Sequence, residues 1–383
     1  MNTLGRAFRV TTWGESHGKA LGAVIDGCPA NLPLSEEDIQ KELNRRRPGY
    51  SIFSTPRREP DKVEILSGIF EGRTTGTPIS ALVYNRDQRS RDYSKLRNIP
   101  RPGHGDYTYY KKYGNYDYRG GGRASGRTTL GLVIGGSVAK KLLEYTYNIK
   151  IVGYTVKVGK IEGDFNYYSN PEVFNLEEID KVVERIEDNP LRCPSSNVQE
   201  MVEYVKEAME RGDSVGGVVE LVALNIPVGV GNPLFSKLSG ELAGGIMSVN
   251  AVKGIEIGRG FQASELYGSE MNDEYIYYNN EVHLKTNNCG GVLAGISCGT
   301  PLVLRVAVKP TPSISRPQRS VNLKTGEEVE IEIEGRHDPI ILPRVIPVLE
   351  SVVAIVLADL MIRGGFIHPC NLEQVERWRD TGL

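Results

Sequence analysis

Two apolar segments constrain the fold of this 383-residue chain more than any other feature. Residues 131–138 and 352–361 are each too short or too interrupted to span a bilayer, so we predict no membrane-spanning segment. The first segment is rich in glycine, and we expect a helix over about 127–145 that packs closely against its neighbours. The second belongs to an apolar helix over 343–362, whose first turn suits Pro343.

The rest of the chain alternates between strand and helix patterns joined by glycine-rich turns. This alternation predicts an α+β fold in one large unit, with sheets covered by helices and sites built from loops. Ser35 is a suitable N-cap for a helix with acidic residues in its first turn, and Pro48 and Gly49 stop that helix. We predict further helices over 175–187, 195–211 and 234–248, and strands over 8–12, 215–224, 301–309 and 329–334.

The cysteines point to a reducing compartment. There are five, with no C-x-x-C pair, and they are Cys28, Cys193, Cys289, Cys298 and Cys370. An odd number of such thiols is typical of reduced intracellular proteins. The N-terminal residues also lack the apolar core of a signal peptide. We therefore predict a cytoplasmic protein in which all five thiols are buried or without a role.

Positive charge is concentrated in residues 45–127, although the whole chain has a net charge of −2. This segment holds 18 Lys and Arg against 8 Asp and Glu, and arginine dominates. The planar guanidinium matches carboxylate and phosphate oxygens. The segment therefore indicates a small polyanionic ligand, a nucleic acid or an acidic partner, with a solvated basic face as the alternative.

Five polar clusters lie in glycine- or proline-rich loops. In Gly14-Glu15-Ser16-His17-Gly18, a histidine suited to proton transfer stands between residues that permit close approach of a ligand, although it could also be a satisfied loop histidine. Residues 101–106 (RPGHGD) contain a second histidine and an aspartate. Residues 119–129 (RGGGRASGRTT) open a helix and could form an anion site, but they match neither a Walker A loop nor a dinucleotide-binding fingerprint.

The other two clusters are a stiff basic loop, KPTPS at 309–313, and RHDP at 336–339 before the apolar helix. The Asp-Pro pair in the second one could simply cap that helix.

Taken together, these clusters resemble the chorismate synthase family over nearly the whole chain. GESHGKALGAVIDGCP, GGRASGRTTLGLVIGG and RHDPIILPRVIPVLESVV are similar to the three family signatures. The blocks between them, RPGHGDYTY, SVNAVKGIEIG, NNCGGVLAGISCG and KPTPSI, follow in the expected order.

The resemblance implies both a fold and a reaction. The fold would be a β-α-β sandwich with an internally duplicated core, formed by a single domain over residues 1–383 with a C-terminal tail from about 364, usually in a homotetramer. The activity would be that of a carbon–oxygen lyase, which makes chorismate from 5-enolpyruvylshikimate 3-phosphate by 1,4-anti-elimination of phosphate. The reaction needs reduced FMN, although it has no net redox change. NADPH is a possible reductant, and neither a metal ion, nucleic acid nor a membrane is expected.

The resemblance also implies the site residues. His17 would protonate or hydrogen-bond the leaving phosphate, His104 would stabilise the anionic reduced flavin, and Asp338 would help to remove the flavin N5 proton. The residues that would contact the substrate are Ser16, His17, Arg46, Arg101, Arg127 and Arg336. Arg46 would also contact NADP if that nucleotide is used. The residues that would hold FMN are Arg123, Ala124, Ser125, Asn250, Ala251, Ala294, Lys309, Pro310, Thr311, Pro312, Ser313 and Arg336.

Three positions depart from the family pattern. Ile52 replaces an arginine that close bacterial relatives carry near the outer rim, Ala124 replaces a common serine, and Gly126 replaces a common alanine. The resemblance assigns no role to His283, His337 or His368. Two other functions stay open at this point, a flavin-dependent oxidoreductase acting on an anionic small molecule and a nucleic-acid-binding protein.

Overall fold

The fold is a β-α-β sandwich, in which two five-stranded antiparallel sheets enclose a layer of helices. The architecture is that of a computed structural model, which describes residues 2–49, 51–53, 59–86, 97–333 and 338–373. The strands of the first half are β1 (Thr3–Leu4), β2 (Arg9–Gly14), β3 (Ala20–Asp26), β4 (Val63–Ser67), β5 (Ile69–Phe70), β6 (Arg73–Thr74) and β7 (Ile79–Tyr84).

The second half contains the remaining strands. They are β8 (Lys150–Val158), β9 (Ile161–Glu162), β10 (Gly217–Leu224), β11 (Val252–Ile257), β12 (Tyr275–Tyr278), β13 (Glu281–Leu284), β14 (Val292–Leu293), β15 (Ile296–Ser297), β16 (Leu302–Val308), β17 (Gln318–Val321) and β18 (Glu328–Ile331). The α-helices are α1 (Glu36–Arg46), α2 (Asp106–Tyr113), α3 (Leu130–Tyr147), α4 (Ile179–Glu187), α5 (Val198–Glu210), α6 (Leu238–Met247), α7 (Gly268–Met271) and α8 (Leu342–Arg363).

The two halves of the chain repeat one topology. The first sheet has the order β1-β2-β3-β7-β4, and the second, taken from its β9 edge, has the order β9-β8-β10-β16-β11. The strands β2, β3, β7 and β4 therefore correspond in turn to β8, β10, β16 and β11. Helix α1 precedes β4 as α6 precedes β11, and α3 and α8 follow the last strand of each sheet. The predicted α+β class and the duplicated sandwich are both confirmed.

Helices α3 and α8 form the centre of the helical layer and pack against each other. A Cβ at Gly136 of α3 would lie 2.1 Å from Ser351 Cβ of α8, and a Cβ at Gly135 would lie 2.4 Å from Val10. The glycines thus allow the close packing that the sequence predicted. Helix α8 is long and apolar enough to cross a membrane, but its most apolar 18 residues are completely buried inside the fold, which makes it a core helix.

Several predicted elements are confirmed, with shifted boundaries. Ser35 N donates a hydrogen bond to the Asp38 carboxylate over 2.8 Å, as expected for the start of α1. The helix predicted from 175 begins only at Ile179, because the Asn175 side chain accepts hydrogen bonds from the backbone N–H groups of the next turn and forms a local turn instead. Likewise, Leu234–Ser236 forms a separate 3₁₀ turn before α6.

Candidate active site

A turn of three consecutive glycines brings the two predicted catalytic histidines together. Gly120, Gly121 and Gly122 have φ values of 58°, 82° and 53°, which side chains disfavour. A Cβ at Gly120 would lie 2.6 Å from His17 Nε2, and a Cβ at Gly121 would lie 2.8 Å from His104 Nε2. The two imidazole rings therefore lie against adjacent residues of one turn, where no side chain separates them from it.

The loop after β2 places Ser16 and His17. Ser16 N donates a hydrogen bond to Gly122 O over 3.2 Å, which ties this loop to the glycine turn. The exposed fractions of Ser16 and His17 are 2% and 6%. His17 is therefore enclosed in the protein and lies beside a second polar loop, as the site interpretation of its motif requires.

A charged network orients His104. Asp106 Oδ1 lies 2.9 Å from His104 Nδ1, and Asp106 Oδ2 accepts a hydrogen bond from Arg101 Nε over 2.8 Å. Burial of Asp106 opposes its ionisation, but the hydrogen bonds from Arg101 and His104 outweigh burial and hold the pKa of Asp106 well below its usual range. The ionised carboxylate fixes the orientation of the ring and leaves Nε2 facing the glycine turn.

Asp106 contacts both His104 and Arg101, and the sequence analysis gave it no role. The signal that could have found it is its position two residues after His104, within one tight loop.

Three buried or half-buried arginines, Arg46, Arg127 and Arg344, form a cluster beside the glycine turn. Arg46 Nη2 donates to Gly126 O over 2.8 Å, and Arg127 Nη2 donates to Asp61 Oδ1 over 2.9 Å. Burial, followed by the positive charge of Arg344, lowers the pKa of Arg46 to about 9, and Asp61 opposes this shift. Arg46 Nη1 and Asp61 Oδ2 are buried without a hydrogen-bond partner among the described residues. These two atoms lie 3.8 Å apart and form an ion pair without a hydrogen bond.

This burial argues against a solvated basic face at three of the predicted substrate residues. The exposed fractions of Arg46, Arg101 and Arg127 are 3%, 6% and 6%. Their positive charge lies inside the protein, so it must be stabilised by carboxylates of the chain or by an anionic ligand.

Asp338 belongs to the edge of the arginine cluster. Its carboxylate accepts a hydrogen bond from Arg344 Nη1, and Arg344 Nε donates to Arg46 O over 3.3 Å. The N-cap position of α8 is Ile341, so Asp338 does not occupy the capping position that its Asp-Pro sequence suggested. Arg336 and His337 lie outside the described residues.

Predicted cofactor residues from three separate loops surround the segment that carries His104. Asn250 Nδ2 donates to Ala124 O over 3.0 Å, and Lys309 N donates to Ala251 O over 2.9 Å. Lys309 Nζ also donates to Gly103 O over 2.6 Å. Residues far apart in the sequence thus form one continuous surface beside the two histidines.

The 309–313 loop carries an unused donor. Pro312 lies 3.1 Å from the position of a Cβ at Gly103, so the loop packs directly against the His104 segment. Ser313 is buried, and Ser214 Oγ donates to Thr311 O over 2.7 Å. Thr311 Oγ1 is buried and has no hydrogen-bond partner among the described residues. Pro310 lies within the same loop.

Two predicted cofactor residues in the 119–127 segment already have intramolecular partners. Arg123 Nη2 donates to Thr12 O over 2.9 Å, and its Nη1 donates to Gly14 O over 3.2 Å. Ser125 Oγ accepts a hydrogen bond from Arg127 N and caps the short 3₁₀ helix that precedes α3. Both side chains therefore hold the turn in place.

Ala294 is not brought to this surface by any contact of the described residues. It has φ 52° in the turn between β14 and β15, where Gly295 O accepts a hydrogen bond from Leu238 N at the start of α6. Asn250 follows the other end of α6, which is ten residues and hence about 15 Å long. Within one chain, Ala294 lies at the opposite end of this helix from the other cofactor residues.

Other residues singled out in the sequence lie in loops, turns and a hairpin. His283 is exposed on the β12–β13 hairpin, and His368 Nδ1 accepts backbone hydrogen bonds within its own turn. Ile52 is exposed. A Cβ at Gly126 would meet no atom within 4 Å, so the absence of the common alanine has no steric cause. Of the five cysteines that we predicted to be buried or without a role, Cys28 and Cys193 are buried, Cys289 and Cys298 are half-buried, and Cys370 is exposed.

In this surface two histidines lie close to buried arginines, which is the composition expected of an enzyme site for anionic ligands. Comparisons with known proteins agree. A family model described as chorismate synthase matches residues 8–362. The chain is 72% identical to a chorismate synthase of Methanocaldococcus jannaschii, over 97% of this chain and 99% of that protein. It is 71% identical to one of Methanococcus aeolicus, over 97% and 100% of the two chains.

A solved structure agrees as well. A crystal structure of a chorismate synthase superposes with a TM-score of 0.76 at 34% identity and covers 98% of each chain. The chain is therefore an enzyme of the lyase class. It belongs to the chorismate synthase family.

Proposed function

We propose that this enzyme converts 5-enolpyruvylshikimate 3-phosphate to chorismate by 1,4-anti-elimination of phosphate. This would be the last common step of the shikimate pathway of aromatic amino acid biosynthesis. The observation that carries the proposal is the meeting of His17 and His104 on adjacent glycines, beside the buried Arg46 and Arg127. Family membership supports the same reaction.

The arginines account for binding of a substrate with a phosphate and two carboxylates. Arg46, Arg101 and Arg127 present guanidinium groups that match these anions, and Arg336 is assigned with them by its motif. Their partners Asp61 and Asp106 hold the guanidinium groups in place before substrate arrives. Ser16 and His17 close the same surface from the loop after β2.

His17 is the proposed proton donor to the departing phosphate. Its ring is enclosed and held against Gly120, so a donated hydrogen bond is directed rather than lost to water. His104, oriented by Asp106, presents Nε2 to stabilise negative charge on the cofactor side. The Asp338 carboxylate, which Arg344 positions, is the proposed acceptor of the flavin N5 proton.

The residues present fit reduced FMN. Thr311 supplies a buried hydroxyl that has no hydrogen-bond partner among the described residues, and its loop packs against the segment that carries His104. When bound, reduced FMN would supply electron density for the departure of phosphate and an acceptor for the ring C6 hydrogen, with no net change in its redox state. The residues that would hold it are Arg123, Ala124, Ser125, Asn250, Ala251, Lys309, Pro310, Thr311, Pro312, Ser313 and Arg336. Ala294, which the resemblance assigns with them, lies at the opposite end of α6 within one chain. We expect Arg123 and Ser125 to contribute mainly by holding the turn, because both already bond within the chain.

The proposal also covers the reductant, the cellular location and the domain organisation. NADPH could reduce the flavin, with Arg46 as a contact. A cytoplasmic location is supported by the five cysteines, none of which is in a disulfide. We also propose one domain over 1–383 with a tail from about 364, since one apolar core cluster includes residues of both sheets.

Self-association, as a homotetramer, is supported by an exposed aromatic hairpin. On β12 and β13 the exposed fractions of Tyr275, Tyr277, Tyr278 and Val282 lie between 64% and 73%. A two-stranded hairpin without cover is marginally stable in water, and exposed apolar patches mark interaction sites. We therefore propose that a second copy of the chain covers this hairpin.

The decisive experiment is anaerobic incubation with the enolpyruvyl substrate and photoreduced FMN, following chorismate absorbance and released phosphate. We expect many turnovers for each reduced flavin, because the elimination has no net redox change. Product formed with oxidised FMN, or one reduced flavin consumed for each product, would contradict the proposal. Stoichiometric consumption of NADPH with a different product would instead identify a flavin-dependent oxidoreductase.

A salt titration of RNA binding distinguishes the proposed enzyme from a nucleic-acid-binding protein. If the chain is the proposed enzyme, it should not bind RNA tightly. Micromolar or tighter affinity that falls steeply with salt would favour the nucleic-acid interpretation.

A further inference from the structure

Two cysteines that are distant from the histidines meet around a short hairpin. Cys289 precedes β14, Cys298 follows β15, and their Sγ atoms lie 3.7 Å apart. Both residues are half-buried, so small reagents can reach them. A disulfide has an S–S distance of about 2.05 Å, so a small side-chain movement suffices to join them. From the sequence, which has no C-x-x-C pair, we predicted that these thiols are buried or without a role.

The surroundings shift the pKa values of the two thiols in opposite directions. Cys298 Sγ lies 3.3 Å from Thr300 Oγ1. The hydrogen bond from Cys289, assisted by Thr300, lowers the pKa of Cys298 to about 6. The same contact with Cys298, together with burial, raises the pKa of Cys289. Cys298 is therefore the nucleophile of the pair, and Cys289 is the resolving thiol.

We propose that Cys289 and Cys298 form a reversible dithiol–disulfide couple that locks the β14–β15 hairpin. In the first step, the Cys298 thiolate attacks one sulfur of an external disulfide, forms a mixed disulfide and releases one thiolate. In the second step, Cys289 loses its proton, attacks the Cys298 sulfur and releases the second thiol. The protein loses two electrons and two protons, and the external disulfide is reduced to two thiols.

The covalent link would restrain a hairpin with contacts to other elements. The loop that it closes contains all of β14 and β15. Ser297 O accepts a hydrogen bond from Gly229 N over 3.0 Å, and Gly295 O accepts one from Leu238 N over 2.8 Å. Oxidation would therefore add a covalent link to a segment that supports the start of α6 and that is otherwise held by these hydrogen bonds and by the two cross-strand pairs of β14 and β15.

The experiment treats the folded protein anaerobically with oxidised glutathione, blocks remaining thiols and digests with trypsin. Both cysteines lie in one tryptic peptide, residues 286–305, because no Lys or Arg lies between Lys285 and Arg305. We expect this peptide to lose two hydrogens and to regain them after treatment with a reductant. Stable glutathione adducts on this peptide, or two unmodified thiols in it while Cys370 reacts, would overturn the proposal.

Two variants and one structural measurement complete the test. Cys298→Ser should abolish the loss of two hydrogens, whereas Cys370→Ser, which removes the exposed thiol, should leave it unchanged. Hydrogen exchange of residues 292–297 should slow at least several-fold in the oxidised protein and should not change in Cys298→Ser. Equal exchange in the oxidised and reduced proteins would show that the link does not lock the hairpin.

Discussion

His17 and His104 contact neighbouring residues of the glycine turn, although they are 87 positions apart in the sequence. Each ring has its own support: the loop of His17 is tied to Gly122 O, and His104 is oriented by Asp106. Because these supports are separate, loss of either imidazole leaves the other in place. The two residues can therefore be tested independently.

Replacing either histidine with alanine should slow the chemical step. We expect His17→Ala and His104→Ala each to lower the single-turnover rate by about 10- to 10⁴-fold, the scale of lost proton transfer or charge stabilisation. Folding should survive, since both residues lie in loops. The control is His368→Ala, because the His368 ring accepts backbone hydrogen bonds within its own turn, and this variant should keep the normal rate. A wild-type rate in either site variant would remove that residue from the mechanism.

The chemical and structural roles of Asp338 can be tested separately. Asparagine keeps the size of the side chain and can still accept a hydrogen bond from Arg344, but it cannot act as a carboxylate base. We expect Asp338→Asn to fold, to bind FMN and substrate, and to turn over at least about tenfold more slowly. Rapid-quench single-turnover measurements give this rate.

The control for Asp338 is a comparison of stability. Asp338→Ala should lose more stability than the asparagine variant, because Arg344 is left without its partner. A purely structural Asp338 would show a normal single-turnover rate in the asparagine variant and only earlier melting in the alanine variant.

At the scale of elements, the α3–α8 contact depends on the absence of a side chain. A Cβ at Gly136 would lie 2.5 Å from Ser351 Cα, a backbone atom of α8 that cannot move alone. Overpacking of this kind costs about 1–3 kcal/mol. The glycine is therefore required by the neighbouring helix rather than by the backbone of α3.

Gly136→Ala should lower the free energy of unfolding by about 1–3 kcal/mol, in spite of the better helix propensity of alanine. Gly244 of α6 is the matched control, because it is helical and exposed and a Cβ there would meet no atom within 4 Å. Gly244→Ala should raise stability by about 0.5–1 kcal/mol. Urea unfolding measures both variants, and equal effects would show that the helices can separate without cost.

At the scale of the whole molecule, the two duplicated halves share their apolar core but leave the β12–β13 hairpin outside it. If the chain forms the proposed homotetramer, light scattering should give a molar mass four times the 42.3 kDa mass of the chain. A charge on the hairpin, as in Tyr277→Glu, should produce smaller species, because burying an unpaired charge in an interface is costly. Phe70→Glu, an equally exposed aromatic on the β5–β6 hairpin, should leave the mass unchanged. A monomeric wild-type chain would contradict the tetramer.

Local patterns in the sequence predicted much of the secondary structure, because caps and periodicity act over a few residues. Ser35 and its acidic neighbours marked α1, and the apolar run marked α8. The boundaries were less accurate where a side chain competes with the backbone, as Asn175 does before α4. The motifs also indicated the loops that carry Ser16, His17 and His104, since glycine-flanked polar residues are readable in one dimension.

What the sequence determined by itself is which residues can do chemistry and which segments become helices. Only the tertiary structure decided which loops meet, because the pairing of strands and the packing of α3 on α8 join residues that no sequence period relates. It placed His17 and His104 on one glycine turn, gave Asp106 its role beside His104, and put Ala294 at the far end of α6. It also brought Cys289 to Cys298, because the turn between β14 and β15 folds the chain back on itself.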